Sequence, residues 1–256
     1  MTAHAPDSPS AWEYDEVIPG LHRVRCGISN AYLWRPAGDE RATLVDTGPV
    51  GTFPRLRRTL TDLGVAPHQL ERVVLTHFHD DHTAAAAEVV AWSGARVVAG
   101  RADAPHIRGE TPGPVPVLTA AEVRLHAAVT SSAVAEALEP VAACPVDVEV
   151  DDGDLLDLGD LAGGPSVAAH VLVLPGHTPG SIALHLPAVG VVLTGDAVAE
   201  HEGRIVLGPF GIDREQAWRD AARLASLEVD VACFGHGEPV IGRAAQALRS
   251  LTDAFA

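Results

Sequence analysis

The run Thr76-His77-Phe78-His79-Asp80-Asp81-His82 places four side chains able to ligate a metal within six positions. It follows an apolar stretch, Arg72-Val73-Val74-Leu75, and precedes an alanine-rich segment, residues 84–92, of helical character. Where a strand runs out into extended chain, residues i and i+2 point the same way. His77 and His79 therefore share a direction, and Asp81 joins them while the extension lasts. Asp80 faces away, so Asp81 is the candidate ligand of that pair. His82, opening the helix, turns its ring back toward the same space. Three imidazoles and a carboxylate buried together without a cation would repel when protonated and leave unpaired polar atoms when neutral. Metal binding is the chemistry this spacing favours.

Three later segments repeat the design of an apolar strand running into a glycine-bounded polar residue. Val171-Leu172-Val173-Leu174 leads to Pro175-Gly176-His177, Gly190-Val191-Val192-Leu193 to Thr194-Gly195-Asp196, and Val231-Ala232-Cys233-Phe234 to Gly235-His236-Gly237. Glycine and proline let the chain turn sharply beside a ligand where a side chain would obstruct. The candidates are then five histidines and two aspartates, which leaves eight of the 13 histidines as ordinary core or surface residues. Seven ligands exceed the roughly four that one tetrahedral ion takes. Two divalent ions sharing one carboxylate fit better, about 3.5–4 Å apart. Asp196 is the natural bridge, because a carboxylate offers an oxygen to each ion. Zinc suits this mix of imidazole and carboxylate, with manganese or iron as alternatives.

Taken in order with Leu44-Val45-Asp46-Thr47-Gly48, these motifs resemble those of the metallo-β-lactamase-fold hydrolases, and the resemblance runs from Asp46 to His236. It implies an α/β fold, an αββα sandwich of two mixed β-sheets packed face to face with helices outside. It implies His77, His79 and His177 on a first metal, Asp81, His82 and His236 on a second, and Asp196 shared. Asp46 would fix the ligand loop through hydrogen bonds; the other reading is a turn residue in Asp-Thr-Gly. A hydroxide held between two ions is nucleophilic near neutral pH. The expected reaction is its attack on the carbonyl of a small-molecule ester, lactone, thioester or amide, with Asp81 and Asp196 at the reacting hydroxide.

Departures from particular branches narrow the substrate. Quorum-signal lactonases of this fold carry a tyrosine three residues after the bridging aspartate, where this chain has Ala199. No cysteine falls in a ligand motif, and the basic residues that glyoxalase-type thioesterases use for glutathione are not located. Two other classes compete: a persulfide dioxygenase holding one iron on fewer of the same ligands, and a non-catalytic metal-binding scaffold. The complete ligand set favours hydrolysis over both.

Composition sets outer bounds. At 256 residues the chain is long enough for one large domain, expected over residues 17–256 after a flexible N-terminal segment, 1–16. A net charge of −16 disfavours nucleic acid and anionic membranes as partners, since both need basic surface. All 18 basic residues are arginine. The N-terminus lacks the basic start and apolar core of a secretory signal, and no apolar run approaches the roughly 20 residues of a membrane span, so a cytoplasmic protein is expected. Cys26, Cys144 and Cys233 form no disulfide framework.

Strands are expected at 21–26, 31–35 and 42–46, a helix at 53–63, a strand through Val73, a helix from 84 and a strand at 95–99. The second half reads as three strands between 167 and 193, then a helix at 214–227 with Trp218, Ala222 and Ala225 on one face. A strand at Cys233 and a helix at 243–255 finish it. This alternation also suits two sheets face to face. Residues 100–146, broken by Pro112-Gly113-Pro114 and helical over 120–138, read as a cover over the cleft or a homodimer contact, with Val115-Pro116-Val117 a candidate pocket wall. His201 is either a proton donor to the leaving group or an exposed loop residue. His185 reads as structural, and Phe210 as a candidate pocket wall.

Overall fold

The computed structural model describes residues 14–130, 141–161, 164 and 166–255. Seven strands, β1 (Tyr14–Ile18), β2 (Leu21–Cys26), β3 (Ser29–Trp34), β4 (Ala42–Val45), β5 (Leu70–Leu75), β6 (Arg96–Gly100) and β7 (Val148–Val150), form one sheet in chain order. The first four pair antiparallel, and β4 to β7 pair parallel. β8 (Leu155–Asp160), β9 (Ser166–Val173), β10 (Ile182–Leu186) and β11 (Val191–Leu193) begin a second sheet. A separate hairpin, β12 (Val198–His201) and β13 (Arg204–Leu207), follows it. β14 (Val231–Cys233) and β15 (Val240–Ile241) complete the second sheet in the order β15-β14-β11-β10-β9-β8.

Alternation along the strands explains the layering. In β5, Val74 faces the opposite sheet while Val73 and Leu75 face helices; in β11, Val191 and Leu193 face inward and Val192 outward. Trp34, Val45, Ile182 and Leu184 meet between the sheets, and Trp34 Nε1 donates across to Leu158 O at 3.0 Å. Helices α1 (Phe53–Asp62), α2 (Asp80–Thr83), α3 (Ala86–Ser93), α4 (Ala104–Ile107) and α5 (Ala120–Thr130) belong to the first half of the chain. Leu56 and Leu60 of α1 and Val89 of α3 cover the outer face of the first sheet. On the second sheet that part falls to α6 (Arg214–Ala225) and α7 (Ala244–Arg249), through Leu224 and Leu248. The expected αββα sandwich is what forms.

Several expectations need correction. Tyr14, Asp15 and Glu16 belong to β1, paired with Val24, Arg23 and His22, so the first sheet takes in the end of the expected flexible segment; residues 1–13 lie outside the described ones. The helix expected over 84–92 is present as α3, and a separate short helix, α2, precedes it over the second half of the ligand run. The buried face of α6 is Ala217, Asp220, Ala221 and Leu224, whereas Trp218 is 41% exposed. The C-terminal helix stops at Arg249, and Thr252 bridges to Val206 of the hairpin instead. Of the expected helix over 120–138, residues 131–138 lie outside the described ones. Among the described residues no helix is long and apolar enough to cross a membrane.

The corrected face of α6 is open to a direct check. Leu224→Ala should lower unfolding stability by about 2–5 kcal/mol, the range for a truncated core leucine. Trp218→Ala, which truncates a side chain that is 41% exposed, should cost less than Leu224→Ala. Urea unfolding of both variants measures this, and the reverse ranking would contradict the packing described.

Candidate metal centre

Each candidate donor leaves the end of a strand at one rim of the sandwich. His77 follows β5, His177 follows β9, Asp196 follows β11 and His236 follows β14. Strands β9, β11 and β14 run in the same sense, because β10 is antiparallel to both β9 and β11 and β14 is parallel to β11. The two sheets are stitched at this rim, where Ile182 N donates to Thr76 O at 2.8 Å. Gly100, at the end of β6, lies so close to Gly180 that a β-carbon would overlap its carbonyl. Glycine is required there by contact alone.

The seven candidate ligands converge. His77, His79 and His177 group within 4.8 Å of one another, as do His77, His82 and Asp196, and Asp81, His82 and His236. Asp196 Oδ2 is central: Nε2 of His236 lies 3.1 Å away, that of His82 3.4 Å, and those of His77 and His177 3.8 Å. Asp81 Oδ2 is 3.2 Å from His236 Nε2 and 3.6 Å from His82 Nε2. Asp80 is exposed and belongs to none of these groups.

The donor set fits divalent cations. His77 Nε2 and Asp196 Oδ1 are buried without a hydrogen-bond partner, and ring nitrogens of His82 and His236 face each other at 3.3 Å. Unpartnered polar atoms so placed are expensive unless something charged lies between them. A β-carbon on Gly235 would overlap Asp196 Oδ1 and crowd His82, so the backbone leaves room for the carboxylate. The two halves differ in electrostatics. Burial and neighbouring imidazoles, chiefly His79, push His177 down to about 3. Burial opposes protonation of His236 as well, but Asp196 and Asp81 outweigh it and lift that imidazole to about 10. Carboxylates that act so strongly on an imidazole concentrate the negative potential that a dication takes up.

Hydrogen bonds outside the donors hold them in register. Asp46 accepts from Thr76 N and Thr76 Oγ1, both at 2.8 Å, and its Oδ2 lies 2.9 Å from His82 Nδ1. It does so from a left-handed backbone, φ 59°, a conformation that a non-glycine residue keeps only when its surroundings enforce it. Thr47 N and Oγ1 both donate to His82 O, and Ile28 O lies 2.7 Å from His236 Nδ1.

Sequence reasoning missed two carboxylates. Asp103 is fully buried and accepts from Phe78 N at 3.0 Å, Thr178 Oγ1 at 2.5 Å and Gly180 N at 2.6 Å. It thereby clamps the His77–His79 loop to the His177 loop. Asp220 of α6 accepts from Gly176 N at 2.7 Å, just ahead of His177. The one available signal was a carboxylate three residues past β6, the strand beside the ligand-bearing β5. Other sequence candidates lie outside the donor groups. His201 is exposed on the hairpin, its ring 5.7 Å from Phe255, and His185 pairs across strands with His170. Phe210 sits at φ 64° beside His126.

The profile of the metallo-beta-lactamase superfamily matches residues 24–236. The chain belongs to this superfamily. A hydroxyacylglutathione hydrolase of Cereibacter sphaeroides is 28% identical over 219 residues, 84% of this chain but only 66% of the relative, so the chain spans just under two thirds of that protein. A probable metallo-hydrolase of Bacillus subtilis is 26% identical over 243 residues, 89% of this chain and 88% of its own. The crystal structure of a metallo-beta-lactamase family protein from Thermus thermophilus superposes with a TM-score of 0.62 at 26% identity, covering 92% of this chain and 79% of the other.

Asp103→Asn keeps the size but turns an amide NH2 toward one of three donors. Such outer supports typically cost about 10–100-fold in metal affinity when lost. Chelator competition should show a loss of that order; unchanged affinity would deny Asp103 its part in aligning the loops.

Proposed function

We propose that this chain is a dinuclear metal-dependent hydrolase of small-molecule esters or thioesters, working as a single domain that begins with β1 at Tyr14. The observation that carries this reading is the position of Asp196 Oδ2, within 3.8 Å of four imidazole nitrogens drawn from both histidine sets. His77, His79 and His177 would hold one ion, Asp81, His82 and His236 the other, and Asp196 both; zinc suits the donors. When bound, such ions supply water acidified to near neutral pH and Lewis-acid polarisation of a carbonyl.

The chain's own residues supply order and dryness. His77, His82 and His177 are buried, while Asp81 keeps a side-chain exposure of 26% and so faces the approach to the site. From there Asp81 accepts a hydrogen bond from the attacking water, aiming an oxygen lone pair at the carbonyl carbon. The acyl–oxygen or acyl–sulfur bond breaks, the water oxygen joins the acyl carbon, and the water's proton passes to the leaving alcohol or thiol. The names of the hydroxyacylglutathione hydrolase relatives support a thioester among the substrates.

Elemental analysis of the purified full chain, paired with turnover of aryl esters, lactones, nitrocefin and S-lactoylglutathione, tests the proposal. Two divalent ions per chain and hydrolysis of an ester or thioester are expected. His79→Ala and Asp196→Ala should each fall to background with lower metal content. One iron per chain without hydrolysis would favour the dioxygenase instead, and a fully active, metal-loaded Asp196→Ala would contradict the assignment.

A further inference from the structure

Exposed apolar side chains stand near the donors in two places, one beside His236 and one beside the His79–His177 pair. On the His236 side, Ile28 is 62% exposed at the turn between β2 and β3, and its own carbonyl meets His236 Nδ1. The next residue, Ser29, donates through Oγ to Asp81 O at 2.6 Å. On the His79–His177 side runs the strap Pro112-Gly113-Pro114-Val115-Pro116-Val117. Gly113 packs on Phe78 so closely that a β-carbon would overlap the ring, and that ring lies 4.9 Å from His79. At the other end Val117 N donates to Gly211 O at 3.0 Å, and a β-carbon on Gly211 would stand 3.6 Å from His177 Cα. Between these anchors Val115 is 82% and Val117 67% exposed.

Single exposed apolar residues are ordinary on a protein surface. This strap differs because proline at alternate positions fixes φ and stiffens the backbone. The valines are held out and cannot fold back onto the body, so little ordering remains when something packs on them. Three arginines, by contrast, already sit in ion pairs. Arg25 pairs with Glu238, Arg108 with Glu110 and Glu149, and Arg214 with Glu122 and Asp253.

We propose that Ile28, together with Val115 and Val117, forms an apolar jaw that selects esters or thioesters with an aliphatic or aryl acyl group. An anionic peptide thiol ester is the substrate this rim serves poorly. The proposal rests on the hydrolase reading above and specifies its substrate class.

A p-nitrophenyl ester series from acetate to octanoate, given to the zinc-loaded full chain, measures it. Full burial of a methylene is worth about four-fold, so half-burial in the jaw should raise kcat/KM about two-fold per added carbon. Ile28→Ser and the double variant Val115→Ser/Val117→Ser should flatten that slope. Leu155→Ser removes an equally exposed apolar group beside Glu71 and Arg72, at the opposite end of β5 from His77, and should leave the slope alone. Turnover with no chain-length dependence, or a kcat/KM for S-lactoylglutathione above that for octanoate, would overturn the jaw and spare the hydrolase. No turnover of any ester or thioester would overturn both.

Discussion

The structure turns on a desolvated carboxylate, Asp196, set among imidazoles that protein hydrogen bonds leave incompletely satisfied. Its Oδ1 has no partner, and its Oδ2 faces four ring nitrogens at hydrogen-bond to ion-pair distances. Apolar packing gives no reason to assemble such groups, since burial penalises each of them. A cation shared among them would. The surrounding features then follow as ways of holding these side chains still: glycines where the chain crowds them, and carboxylates that fix the loops from behind.

The sandwich makes this possible because its two sheets end at the same rim. The inner layer of valine, leucine and isoleucine sets the spacing between sheets, and Trp34 and Tyr32 add polar ties, to Leu158 O and Phe234 O. Tyr32 thus reaches the backbone directly ahead of Gly235-His236. Asn30 Nδ2 donates to Phe234 O and Gly237 O, gripping the same loop from the first sheet. The candidate ligands of one sheet are thereby placed by residues of the other, and a shift between the sheets would reach these side chains directly.

Much of the site was legible in the chain because strand ends, flanking glycines and ligand side chains all occur locally. His77, His79, Asp81 and His82 sit in one run, and the remaining donors each carry glycine beside them. Asp103 and Asp220 were hard to read because the loop groups they hold, backbone amides and a hydroxyl, lie 25 to 77 positions away. Asp220 also explains the misread face of α6: a buried carboxylate interrupts the apolar stripe, and Trp218 draws the eye to the wrong side. The hairpin β12–β13 escaped notice because its strands are four residues each around a polar turn. The tail past Arg249 pairs with that hairpin, which a helical period could not foretell.

Anomalous scattering at the zinc edge, from crystals of the full chain grown with zinc, would show whether Asp196 joins two ions. Two peaks about 3.5–4 Å apart are expected, with Asp196 between them and His177 and His236 on opposite ions. A single peak that leaves either histidine turned away, or none within reach of Asp196, would contradict that bridging role.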